Sequence, residues 1–291
     1  PDGGPAARLR RLCEDGLRRR YGPSPGPQPR RRLERELKLI ERLGFVEYFL
    51  VVWDIVRYAR SRGAPVAGRG SGGSSIVAYV LGVTNVCPLS YDIPFERFLH
   101  EGREDFPDLD VDFCWRIRDD VIDYAFRRWG AENVAMVCTH NTFQPRSAMR
   151  EAARAAGYSD AQVSDLAARN FEPADDADRL FRLAGRITGL PHLLSVHPGG
   201  IVIGRRPVDR YVPIQPAAKG VRITQYDKDG VEAIRLVKLD LLGNRNLSTV
   251  RAACDEIRRR RGETIDAEAL PPADPDTLRT LCAAETVGCN Q

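Results

Sequence analysis

The stretch PDLDVDF, residues 107 to 113, restricts the possible folds of this chain more than any other. Polar and apolar residues alternate with the period of a β-strand, so Asp108, Asp110 and Asp112 line one face and Leu109, Val111 and Phe113 the other. The apolar face requires a layer packed on it, and the acidic face requires something to offset its charge. Alternate residues of a strand stand roughly 6.6 Å apart. At that separation two carboxylates repel by roughly 3 kcal/mol at an effective dielectric near 20. Hard divalent cations relieve such repulsion.

Two other arrangements compete for the strand. A calcium loop of the D-x-D-x-D-G type has Asp119 at its twelfth position, but Phe113 stands where the turn glycine belongs and the interleaved residues are apolar. A solvated acidic edge strand is the plainer alternative. It loses ground because VKLDLLG supplies a second carboxylate, Asp240, between Leu239 and Leu241 on a strand that reads as buried, where an unpaired charge is costly. Lys238 shares the face of Asp240 and is placed to neutralise triphosphate. Carboxylates from two strands can bridge two Mg²⁺ ions about 4 Å apart, the arrangement used in phosphoryl transfer.

The segment GRGSGG, residues 68 to 73, satisfies GxGxxG but fits neither a dinucleotide fold nor a Walker loop. Asp92 lies at the distance of the ribose-binding acid yet falls between Pro88 and Pro94, and no GK[ST] follows. A nest of backbone N–H groups with Arg69, Gly70 and Ser71, at the start of a helix capped by Ser74 or Ser75, suits triphosphate oxygens. A simple tight turn is the alternative.

Around these motifs the chain reads as an α+β protein. Helix is expected over AARLRRLCEDGLRRRYG, then a break at PSPGPQP. Helix resumes through RRRLERELKLIERLGFVEYFLVVWDIVRYARSRG, interrupted near Gly44. RIRDDVIDYAFRRWG is an amphipathic helix ended by Gly130, and NVAMVCT a strand. Residues 141 to 195 are Ala-, Arg- and Asp-rich and helical. Strands return with GGIVIG, YVPI, VRITQYD and AIRLVKLDLLG before a helix over NLSTVRAACDEIRRRRG. The sheet is therefore left for a helical excursion and rejoined.

Forty arginines stand against four lysines, and clusters such as RRRY and RRRR (258 to 261) fit a phosphate-bearing partner, although such runs also arise as solvated helix faces. The seven cysteines form no CxxC pair and read as reduced thiols, which leaves zinc out. No run of 18 apolar residues and no signal peptide is found, so a cytoplasmic protein without membrane contact is expected. The sequence stops at ETVGCNQ within what reads as a strand, and a fragment of a longer chain is expected.

GFVEYFLVVWDIVRYAR, GRGSGGSSIVAYVLGVT, PFERFL, PDLDVDF, VHPGGIVI, TQYDKDGVEAIRLVKLDLLG and ETVGCNQ together resemble the bacterial C-family DNA polymerases, the α subunit of DNA polymerase III. TFQPRSAMREAARAAG is similar to their error-prone, damage-associated branch. The resemblance implies a nucleotidyltransferase-type palm with a mixed sheet, formed by residues 1–140 and 196–245, a helical thumb insertion at 141–195, and the start of the fingers at 246–291. It implies template-directed synthesis, with dNTPs added to the 3′-hydroxyl of a primer on template DNA by a two-metal mechanism, in replication, repair or translesion synthesis.

The implied catalytic residues are Asp108, Asp110 and Asp240, with two Mg²⁺ held among Asp108, Asp110, Asp112 and Asp240. Which two of the three strand aspartates bind is left open. Arg69, Gly70, Ser71 and Lys238 would meet the nucleotide phosphates, and Arg146, Arg150 and Arg154 the DNA. His197, in HPGG, is expected to be a buried, hydrogen-bonded histidine. A sliding clamp and other replisome or repair subunits would bind regions absent from this chain, which would lie at the nucleoid and have little activity alone. VAGRGS is one residue shorter than the usual VGPGRGS, and LLGNRN departs from the common FLGLR at the palm-to-fingers junction. A non-catalytic DNA-binding module, or another two-metal nucleotidyltransferase or nuclease, is the alternative.

Overall fold

In the structure, a computed structural model, residues 3–102, 107, 109–168, 177–271 and 273–286 are described. Asp108 and residues 287–291 of ETVGCNQ lie outside that set.

Proline and glycine punctuate the first helices. Helix α1 (Gly4–Tyr21) gives way at Gly22, and α2 (Pro27–Arg42) starts on the last turn of the proline-rich break, with proline in its first turn, where no N–H is needed. Gly44 takes φ 77°, a left-handed value suited to glycine, between α2 and α3 (Val46–Ser61). Gly16 lets α1 meet α4 (Ile76–Val80), because a Cβ there would lie 2.0 Å from the Val80 carbonyl oxygen.

Among the described residues, seven strands form one mixed sheet in the order β1-β2-β7-β4-β3-β6-β5. They are β1 (Val66–Arg69), β2 (Asp110–Cys114), β3 (Val134–Thr142), β4 (Pro191–Ile203), β5 (Ile214–Pro216), β6 (Arg222–Thr224) and β7 (Lys238–Asn244). Strand β2 runs parallel to β7 and antiparallel to β1, and β7 runs antiparallel to β4. The apolar face of PDLDVDF is buried as its alternation requires: Val111 and Phe113, with Leu239 and Leu241 of β7, meet Val52, Ile55 and Val56 of α3. Helix α5 (Arg118–Trp129) contributes Val121, Ile122 and Ala125 to that core and ends at Gly130. Further along the sheet a second core joins Ala135, Val137 and Val202 to Val231 of α9 (Lys228–Ala233).

Strands β3 and β4 stay paired out to Thr142 and Pro191, and between them α6 (Pro145–Ala155), α7 (Asp160–Ala168) and α8 (Ala177–Ile187) form the excursion. It carries its own small core of Ala148, Ala152, Ala153, Val163, Leu180 and Ala184. After β7, Asn244 caps α10 (Arg245–Arg261), which Gly262 closes at φ 71°, and α11 (Pro275–Cys282) follows.

The strand readings around 211 to 240 needed correction. Of YVPI only Ile214 is in a strand, since Val208–Arg210 forms a single 3-10 turn that tucks Val212 into the core. Of AIRLVKLDLLG only Lys238–Gly243 is in a strand: Ala233 ends α9, which Asp227 caps by accepting from the Gly230 N–H at 3.0 Å, and Arg235 at φ 58° turns the chain before β7.

Candidate active site

Strand pairing brings the acidic residues together. Val111 pairs with Leu241 and Asp112 with Leu242, and the same register one residue earlier sets Asp110 beside Asp240 on the neighbouring parallel strand. Paired strands lie about 4.8 Å apart, and residues abreast in a sheet share a face. Asp110, Asp112 and Asp240 therefore occupy the face opposite α3. Tyr48 of α3 fixes the approach to β2, its hydroxyl accepting from the Leu109 N–H at 2.9 Å. Among the described residues, no three His, Cys, Asp or Glu side chains gather at metal-binding distance.

Asp240 is the most buried of the three, 8% exposed, and its two oxygens differ. Oδ2 takes the Lys238 ammonium at 2.5 Å. Oδ1 is buried with no hydrogen-bond partner, a state that costs about 1–3 kcal/mol unless something else accepts its lone pairs. A cation is the natural partner for such an oxygen, so the donor set fits a divalent metal.

His197 Nδ1 stands 4.0 Å from this oxygen. HPGG makes the approach possible. Cys138 pairs with Val196 and Met136 with Ile201, so residues 197 to 200 bulge out opposite Val137 alone. Within the bulge Nδ1 accepts from the N–H groups of Gly200 at 2.7 Å and Gly199 at 3.3 Å, which places the proton of a neutral ring on Nε2. Both glycines are needed: a Cβ on Gly200 would lie 2.8 Å from Nδ1, and one on Gly199 would lie 2.7 Å from the Leu241 carbonyl oxygen. Burial holds the imidazole below its ordinary pKa, with Lys238, Lys228 and Arg118 acting in the same direction and Asp240 opposing. His197 is hydrogen-bonded as expected but only half-buried.

The glycine-rich loop closes over the other end of this face. Gly70 adopts φ 66° and passes so near Asp110 that a Cβ would lie 3.3 Å from its Oδ2, while a Cβ on Gly72 would lie 2.6 Å from Leu109. Ser71 belongs to the 3-10 turn Gly70–Ser74. Arg69 directs Nε to Asp112 Oδ1 at 3.2 Å, and Asn244 Nδ2 donates to Asp112 Oδ2 at 2.8 Å.

The helix start after the loop is not an open phosphate site. Glu36 of α2, fully buried, accepts from the Ser75 hydroxyl at 2.8 Å and the Val77 N–H at 3.2 Å, and Arg32 bonds its other oxygen at 2.6 Å. A protein carboxylate thus already occupies the N-terminus of α4. Any anion bound by the loop would have to meet Arg69 and the backbone of Gly70 to Gly73 instead. Burial raises the Glu36 pKa, with the bonds from Arg32 and Ser75 opposing.

Residues 7–243 match the family of the bacterial DNA polymerase III alpha NTPase domain. The chain belongs to this family. It is 42% identical over 314 residues to an error-prone DNA polymerase of Symbiobacterium thermophilum, covering 100% of this chain and 28% of that protein. Error-prone DNA polymerases of Cutibacterium acnes and Pseudomonas paraeruginosa are 41% and 38% identical, covering 100% and 99% of this chain and 27% and 30% of theirs. This DNA polymerase III alpha NTPase-domain chain thus spans less than a third of the relatives it matches, and their error-prone character agrees with the branch its sequence resembles.

The arginines expected to meet DNA lie on α6 of the excursion, at the helical spacing that lines one side. Arg146, Arg150 and Arg154 are all exposed. Arg154 is held by Glu151 at 2.7 Å and Asp160 at 3.2 Å. No helix among the described residues is long and apolar enough to cross a membrane.

Residues outside the sequence-based expectation also shape the site. Asn244 is visible in the sequence as a departure from FLGLR, whereas Tyr48 and Glu36 carry no local signal. Their partners lie 61 and 39 residues away in the chain.

Proposed function

We propose that this chain is the palm and thumb of a template-directed DNA polymerase of the error-prone branch, joining dNTPs to a primer 3′-hydroxyl. The observation that carries the reading is the parallel register of β2 on β7, which sets Asp110 beside Asp240, whose Oδ1 is buried without a hydrogen-bond partner. Residues 1–140 and 196–245 would be the palm, 141–195 the thumb, and 246–291 the start of the fingers.

Asp110 and Asp240 would hold the catalytic cations together with Asp108. Asp112, with one oxygen on Arg69 and the other on Asn244, is better placed to orient the loop than to bind metal. Bound Mg²⁺ would activate the primer 3′-hydroxyl and offset charge on the departing pyrophosphate. Lys238 orients the Asp240 carboxylate through its 2.5 Å ion pair, and its charge would act on a bound phosphate. The neutral ring of His197 lies beside Asp240 without placing a second cation against Lys238. Arg69 and the turn from Gly70 to Ser71 would receive the triphosphate, and Arg146 and Arg150 would contact the primer-template backbone. The complete polymerase would work in the cytoplasm at the nucleoid, with a sliding clamp and repair partners.

Primer extension by the full-length polymerase tests this. Asp110→Asn and Asp240→Asn should each remove extension while leaving thermal unfolding and DNA binding in place. Extension at the unsubstituted rate by either variant would overturn the reading.

A further inference from the structure

Asn244 stands at the junction where LLGNRN departs from the common FLGLR, and its side-chain amide and its carbonyl are all engaged. Oδ1 accepts from the N–H groups of Asn246 at 2.8 Å and Leu247 at 3.3 Å, capping α10. Its carbonyl accepts from the Trp115 N–H at 3.2 Å, which ties the end of β7 to the end of β2. Nδ2 donates to Asp112 Oδ2, and Asp112 Oδ1 faces Arg69 Nε. One side chain thus joins the first turn of α10 to the arginine that opens the glycine-rich loop. A leucine at this position could neither cap the helix nor bond the carboxylate.

We propose that Asn244 is a positioning residue for triphosphate binding: it fixes Asp112, which orients Arg69, so the grip on an incoming nucleotide depends on how α10 is seated. Asp112 engages Arg69 through Nε, which leaves the two Nη groups of this exposed side chain to meet phosphate oxygens together. A guanidinium held in place before binding loses less rotamer freedom when the ligand arrives. The inference rests on the nucleotide reading of the loop.

The test separates the cap from the relay. Serine caps a helix about as well as asparagine but cannot reach Asp112 with an amide donor. Binding of Mg²⁺–dATP to the 291-residue chain, measured by calorimetry, should weaken about fivefold in Asn244→Ser, the equivalent of one net hydrogen bond. The thermal midpoint should stay that of the unsubstituted chain. Arg69→Ala should weaken binding at least as much, and the double variant should bind no more weakly than Arg69→Ala alone. Unchanged affinity in Asn244→Ser, or an effect that multiplies with that of Arg69→Ala, would overturn the relay. If Arg69→Ala and Asp240→Asn also left the affinity unchanged, the nucleotide reading itself would fall. A loss in those two without a loss in Asn244→Ser would remove only the role of Asn244.

Discussion

Asp110 of β2 and Asp240 of β7 stand abreast on adjacent parallel strands, one residue before the paired couple Val111 and Leu241. Their neighbours Leu109, Val111, Leu239 and Leu241 point the other way into the core under α3. Packing on one face of the sheet therefore sets the separation of the carboxylates on the other, and a one-residue slip of either strand would bury the charges and expose the leucines.

The excursion gives a graded prediction for DNA binding. Removing one phosphate contact should reduce the steepness of the salt dependence of binding by about 0.9 in log–log terms. Arg150→Ala should thus lower it by about 0.9 in titrations of a primer-template duplex. Arg154→Ala should change it little, because Glu151 and Asp160 already hold that guanidinium. An equal effect from Arg150→Ala and Arg154→Ala would argue against this assignment.

Helix packing depends on Gly16. A Cβ there meets the Val80 carbonyl oxygen at 2.0 Å, and a backbone atom cannot swing aside as a side chain does. Gly16→Ala should destabilise the chain by about 3 kcal/mol, at the upper end of overpacking effects, as measured by urea unfolding. A change below 0.5 kcal/mol, the range of an ordinary surface substitution, would show that α1 and α4 separate freely.

Glu36 should be among the most sensitive polar positions. Glu36→Ala leaves Arg32, the Ser75 hydroxyl and the Val77 N–H without their buried partner. A loss of about 3–5 kcal/mol is expected from equilibrium unfolding.

Much of this architecture is legible in the sequence because it is encoded locally. The period-two aspartates specify a strand with one buried face, Gly44 and Gly130 mark helix ends, and the break at 23 to 29 separates α1 from α2. The pairing of that strand with VKLDLLG was anticipated only through chemistry, from the difficulty of burying Asp240 alone. The parts that were not legible depend on partners distant in the chain. Glu36 fills a helix N-terminus that the loop sequence alone leaves open. The HPGG bulge brings His197 to within 4.0 Å of the Asp240 carboxylate. Near 233 to 237 the end of α9, which Asp227 caps, and a turn in which Arg235 takes φ 58° replace extended chain.

Acid should act partly through Asp54. Burial pushes its pKa up, but hydrogen bonds from Arg57, Tyr124 and Arg128 outweigh that and leave it below the ordinary 3.8. A carboxyl that is a stronger acid when folded contributes stability above its unfolded pKa and loses it as pH falls through the folded value. The contribution should therefore be intact at pH 5 and fade below about pH 3.8. Asp54→Asn should be less stable at neutral pH and show a shallower acid limb in pH-dependent thermal unfolding.

The central claim is that the Asp110 and Asp240 face holds divalent cations, and it is tested most directly by Mn²⁺ binding to the 291-residue chain, followed by electron paramagnetic resonance and competed with Mg²⁺. The unsubstituted chain should bind Mn²⁺ in competition with Mg²⁺. Asp240→Asn, which keeps the shape but not the charge facing Lys238, should weaken binding at least tenfold with the fold intact, as should Asp110→Asn, whereas Asp112→Asn should have a smaller effect. Equal Mn²⁺ affinity in the unsubstituted chain, Asp110→Asn and Asp240→Asn would contradict the account.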